Sequence, residues 1–178
     1  MLRRLPFATT ALTLLLGVAT VSGQAFSAAA VECGVPTPSR GKKFELGLLY
    51  YVLVPSGLPD LTRTVPITGA VIGVPVFHGT LQLEGFFGSD PTDSLDLQMA
   101  EANYRLEVEI PYFNLFALFG AHYLHYTKAT TPHSGFGANT GIGVSFLMGQ
   151  NFELALSLRA YIQQRTTIGV GGGFSYLL

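Results

Sequence analysis

The chain has 178 residues, a formal net charge of −1, 12% charged side chains and 48% hydrophobic ones. That balance excludes the basic surface a nucleic-acid partner requires, and a single cysteine, Cys33, excludes an intrachain disulfide. With 21 Gly, 13 Phe, 8 Tyr and no Trp, the composition favours strands over helices, and the length suits one domain.

The first thirty residues read as a cleaved export signal. "MLRR" is a basic start, "FATTALTLLLGVAT" an apolar stretch too short for an ordinary membrane-spanning helix, and Ala28 and Ala30 form an A-x-A cleavage pattern before Val31. Loss of Arg3 and Arg4 with this segment leaves eight basic residues against eleven acidic ones, a net charge of about −3. Glu32 before Cys33 does not fit a lipidation site, so Cys33 is expected as a free thiol in the polar, Pro-containing tail of residues 31–42.

From residue 43 to 178 the chain divides into eight segments of period two. The first (44 to about 54), second (about 67 to 77) and fifth (112 to about 127) are more apolar on both faces; in the fifth, Phe113, Leu115, Ala117, Phe119, Ala121 and Tyr123 make the greasier face and Asn114, Gly120 and His122 mark the other. The third, "TLQLEGFFG", alternates Leu81, Leu83, Gly85 and Phe87 with Thr80, Gln82, Glu84 and Phe86. In the fourth, "LDLQMAEANYRLEVEI", Ala100 to Ile110 oppose Glu101, Asn103, Arg105, Glu107 and Glu109. The sixth, "SGFGANTGIGVSFLM", sets Phe136 to Met148 against Gly135, Gly137, Asn139, Gly141, Gly143 and Ser145. In the seventh, "NFELALSLRAYIQQ", Leu154, Leu156 and Leu158 alternate with Glu153, Ser157 and Arg159. The eighth alternates Ile168, Val170, Phe174, Tyr176 and Leu178 with Thr167, Gly169, Gly171, Gly173 and Ser175. A helix would scatter these residues; a strand separates them.

The links predict alternating lengths. "PSGLPDLTRTVP", "SDPTDS" and "KATTPHS" read as longer loops; His78-Gly79, Pro111 and "GQN" read as tight turns, and the last link, around Gln164-Arg165, is short. An even number of strands with alternating link lengths fits an up-and-down membrane barrel. A face of glycines is poor material for a solvent-exposed sheet but clears space inside a narrow barrel. The polar faces therefore point inward, carrying Glu45, Glu84, Glu101, Glu107, Glu109, Glu153, Arg105 and Arg159 as a lumen charge network, with the two arginines shared among the glutamates.

The stretches "PYFNLFALFGAHY", "GFGANTGIGVSFLM", "NFELALSLRAY" and "IGVGGGFSYLL" resemble the small eight-stranded outer-membrane β-barrels of the OmpA/OmpX/OmpW type. The resemblance implies an all-β, antiparallel, up-and-down transmembrane barrel over 43–178, a periplasmic tail over 31–42 and residence in the outer membrane after export. It implies outer-membrane lipid and lipopolysaccharide as surroundings, and periplasmic chaperones and the barrel-assembly machinery as partners during biogenesis of a monomer. Phe174, Tyr176 and Leu178 occupy the place of the family's C-terminal assembly signal, with Leu178 departing from the usual terminal aromatic.

Three functions follow as expectations. The first is a non-enzymatic structural or surface-interaction barrel, with the links "PSGLPDLTRTVP" and "TKATTPHS" as candidate contacts. The alternative, implied by the OmpW-like resemblance, is a narrow pore for small or apolar molecules: eight strands leave an interior just filled by side chains, and a glycine-lined sector would open a partial cavity in it. The third, a lipid A deacylase, requires a His-x-Ser-Asn motif on the penultimate strand; Ile162 and Gln164 stand there instead, and "HYTK" (125–128) lies on the fifth strand without the Asn. His125 and Tyr126 are read as interfacial residues at an outer strand end. His122 and His125 face opposite ways on a strand, and "GVGGGF" precedes no helix, so neither a metal nor a cofactor is expected.

Overall fold

The computed structural model describes residues 43–54, 63–92, 94–163 and 166–178. The expected signal peptide and tail, most of the first long link, and the Gln164-Arg165 link lie outside the described residues. Eight strands follow one another: β1 (Glu45–Val54), β2 (Val65–Val76), β3 (Gly79–Asp90), β4 (Leu95–Ile110), β5 (Phe113–Lys128), β6 (Thr131–Met148), β7 (Phe152–Ile162) and β8 (Thr166–Leu177). Each pairs antiparallel with its sequence neighbours, and β1 pairs with β8, so the sheet closes on itself and keeps no open edge along its shared length. Alternation decides which residues face out: Leu48, Leu83, Leu106, Ile142, Leu156 and Val170 are all exposed on the outer wall.

Two expectations about the links are corrected. "KATTPHS" is no long loop: β5 runs to Lys128 and β6 starts at Thr131, leaving a two-residue turn. Ala129 takes a left-handed φ of 57° there and its N–H donates to the Ser94 carbonyl at 3.0 Å. His133 stacks on Tyr126 across the ladder, with ring centroids 5.0 Å apart, and the pairing with β5 continues past Pro132 to Thr131. Longer links do not alternate regularly with shorter ones, because 91–94 spans four residues and 129–130 only two.

The wall is uneven in height. β6 pairs with β7 only from Ala138 onward, so residues 131–137 are held by β5 alone. That exposed edge is blunted by Pro132, which has no N–H to offer, and by Gln163, whose side-chain amide donates to the Gly135 carbonyl at 3.3 Å.

The interior is more apolar than the glycine and charge rows suggested. Leu49, Tyr51, Leu53, Val65, Ile67, Phe86, Leu95, Leu97, Met99, Leu124, Tyr126 and Tyr161 form a buried cluster inside the wall, toward the end of the barrel where the β1–β2 link lies. Tyr126 belongs to this cluster and is 7% exposed, which corrects its reading as an interfacial residue. Glycines make room for these bulky groups. Gly171 faces Tyr51 across the β1–β8 seam, and a β-carbon at Gly171 would lie 2.6 Å from the Tyr51 Cα. Gly171→Ala is therefore expected to cost about 1–3 kcal/mol of stability. Gly85→Ala, at an outward site where a β-carbon meets nothing within 4 Å, is expected to stay within about 0.5 kcal/mol. Urea midpoints in detergent, read from the gel mobility of unboiled samples, check both.

Candidate functional site

The polar residues of the interior gather into two knots, each centred on one arginine. Arg159 stands on β7 between two glycines of neighbouring strands, Gly141 and Gly169, which leave its long side chain space to cross the lumen. Its Nη1 donates to Glu84 Oε2 at 2.6 Å and to Glu101 Oε2 at 3.1 Å. Glu84 and Glu101 are directly paired across β3 and β4, so the guanidinium bridges two like charges that would otherwise repel. Asn103 Nδ2 donates to Glu84 Oε1 and Glu101 Oε2, both at 2.9 Å, and Asn139 Nδ2 donates to Glu101 Oε2 at 2.6 Å. The guanidinium also lies 4.6 Å from the centre of the Tyr51 ring, whose hydroxyl bonds Ser157.

Arg105, on β4, holds the second knot. Its Nε lies 2.6 Å from Glu107 Oε1, and its Nη1 lies 2.8 Å from Glu153 Oε1 and 3.9 Å from Glu45 Oε1. Its Nη2 donates to Ser145 at 3.1 Å. Gln82 Nε2 and the Ser175 hydroxyl donate to the two oxygens of Glu45 at 2.7 and 2.8 Å. This guanidinium sits over a ring too, 4.1 Å from the centre of Phe116, and Phe116 fits across the ladder onto Gly143. The same stack of glycine, aromatic ring and guanidinium thus occurs twice, on different strands.

Between the knots lies a partly open cavity of water size, lined by Leu49, Val71 and Leu118 as well as by Glu45, Glu84 and both arginines. Beyond the Arg159 knot lies the apolar cluster. The interior is thus occupied by side chains at successive levels, and its charges are stitched across strands far apart in sequence.

No protein-family model matches the chain, and no curated protein does. Solved structures do match. Neisserial surface protein A is 8% identical with a TM-score of 0.62, over 76% of this chain and 96% of that one. The N-terminal β-barrel domain of Pseudomonas aeruginosa OprF is 15% identical with a TM-score of 0.55, over 74% and 96%. The fold is that of the small eight-stranded outer-membrane β-barrels. Ail, the attachment invasion locus protein of Yersinia pestis, shares it at 12% identity and a TM-score of 0.51, over 76% and 97%.

Within this barrel Glu45, Glu84, Glu101, Arg105, Glu153 and Arg159 are buried, and Glu107 lies at the margin of the Arg105 knot. Glu109 differs from its expectation: it sits near the end of β4, opposite Asn114, and is exposed to solvent rather than enclosed. Phe174 and Tyr176 face outward on β8, where Phe152 stacks on Phe174 with centroids 5.4 Å apart and meets Tyr176 edge-on at 5.1 Å. The Leu178 amide donates to the Phe44 carbonyl, tying the last residue to the start of β1. The residues that sequence reasoning left out of the network are its neutral donors, Gln82, Asn103, Asn139, Ser145 and Ser175. Their signal was parity, since each shares a face with a glutamate, an arginine or a glycine row. His122 is buried against Tyr161, edge to face at 5.3 Å, while His125 is half-buried on the opposite face. Among the described residues, no three His, Cys, Asp or Glu side chains are placed to hold a metal.

Proposed function

We propose that the chain is a non-enzymatic structural barrel of the outer membrane whose lumen does not conduct. The observation that carries this reading is the plug: two arginine-centred knots and an apolar cluster occupy successive levels of the interior, as expected when eight strands enclose only enough space for their own side chains. The short links at 91–94 and 129–130 favour a structural role over a broad receptor surface. Export to the outer membrane, contact with lipid and lipopolysaccharide, a monomeric state, and recognition of Phe174, Tyr176 and Leu178 by the assembly machinery belong to the same proposal. It is supported by the apolar outer wall and by the outer-membrane origin of the structural neighbours.

Planar-bilayer recording tests it. The refolded protein is expected to leave the bilayer silent, whereas discrete conductance steps from the wild type would replace this reading with that of a narrow pore.

A further inference from the structure

We propose that the Arg159 knot binds one monovalent alkali cation on the amide oxygens of Asn103 and Asn139, beside the Glu101 carboxylate. The knot encloses two carboxylates, Glu84 and Glu101, and one guanidinium, and so lacks one positive charge. Burial makes that deficit costly unless a counter-charge enters. An independent observation places the counter-charge. Two buried amide oxygens of this knot, Asn103 Oδ1 and Asn139 Oδ1, have no hydrogen-bond partner. Asn103 is 1% exposed and Asn139 6%.

Both asparagines donate their amide nitrogens to Glu101 Oε2, which turns their carbonyl oxygens away from it. Those oxygens converge. Asn103 and Asn139 flank Gly120 on either side, and a β-carbon at Gly120 would strike both oxygens. Only a glycine lets two amide oxygens meet there. Neutral amide oxygens beside a carboxylate are hard ligands without nitrogen or sulfur, the set that suits Na+ or K+ rather than a transition metal. Tyr51, Tyr161 and His122 surround the knot from β1, β7 and β5, and none supplies a fixed positive charge at neutral pH.

The inference does not rest on the lumen being closed, so conductance and cation binding can fail separately. The test uses the full barrel in a zwitterionic detergent at pH 8, with urea unfolding followed by gel mobility in NaCl, KCl or choline chloride at equal ionic strength. The wild-type midpoint is expected to rise with the logarithm of alkali-cation concentration and to stay flat in choline, which is too large to enter. Glu84→Gln removes the surplus charge while keeping the shape of the site, and is expected to abolish the difference between sodium and choline. Asn139→Ala is expected to weaken it. Coincident alkali and choline series in the wild type would overturn the proposal, as would a midpoint that tracks pH alone, which would assign the missing charge to a proton. The wild-type comparison decides even if a variant fails to fold.

Discussion

Arg159→Ala is expected to lower the unfolding free energy of the barrel by about 3–5 kcal/mol, because it leaves two buried carboxylates without their shared partner. The loss would exceed that from removing an exposed ion pair, where solvent already screens the charges. It would also exceed a simple truncation cost, since the guanidinium spans Glu84 and Glu101, which oppose each other across the β3–β4 ladder. The urea midpoint of the refolded protein measures it. A triple variant, Arg159→Ala with Glu84→Gln and Glu101→Gln, is expected to recover much of the loss, because it removes the uncompensated charges and keeps hydrogen-bonding side chains in their places. If Arg159→Ala alone were as stable as the wild type, the knot would contribute nothing to holding the strands together.

Leu156→Arg is the second large effect. Leu156 lies in the middle of β7, is 52% exposed and points away from the lumen. In a bilayer a charge near the midplane of a barrel's outer wall costs about 2–4 kcal/mol. Leu156→Arg is therefore expected to lower the midpoint in lipid bilayers by that amount, and Leu156→Phe to leave it nearly unchanged. The neighbouring Ser157 points inward beside Tyr51, so Ser157→Ala is expected to respond to the lumen rather than to the lipid. Equal tolerance of arginine and phenylalanine at Leu156 would contradict an outward apolar face.

Much of this architecture is written in the period of the strands. Alternation separated Leu154, Leu156 and Leu158 from Glu153, Ser157 and Arg159, and the structure places the two sets on opposite sides of the wall. Alternation is silent where both faces are apolar, as in β1 and β2, so the inward set of Leu49, Tyr51, Leu53, Val65 and Ile67 could not be told from the outward one. Turn chemistry misled at Thr131 and Pro132, where local residue preferences suggested a loop and pairing with β5 prevailed. In the candidate site, the faces of the glutamates and arginines were legible, but their partners were not. Arg159 meets Glu84 across 75 residues of sequence and Glu101 across 58, and such contacts are set by closure and stagger rather than by spacing. Glu109 failed for a related reason: parity gives the side of a strand and says nothing of depth, and this residue falls at the mouth.

The tall β5–β6 hairpin has a bearing on protein engineering. Its tip, Ala129-Thr130, is exposed, while Leu124 and Tyr126 root its inner side in the apolar cluster. Foreign peptide grafted between these two residues would be carried on a stalk whose anchorage is independent of the graft, making this turn the natural place to display an epitope without disturbing the barrel beneath it.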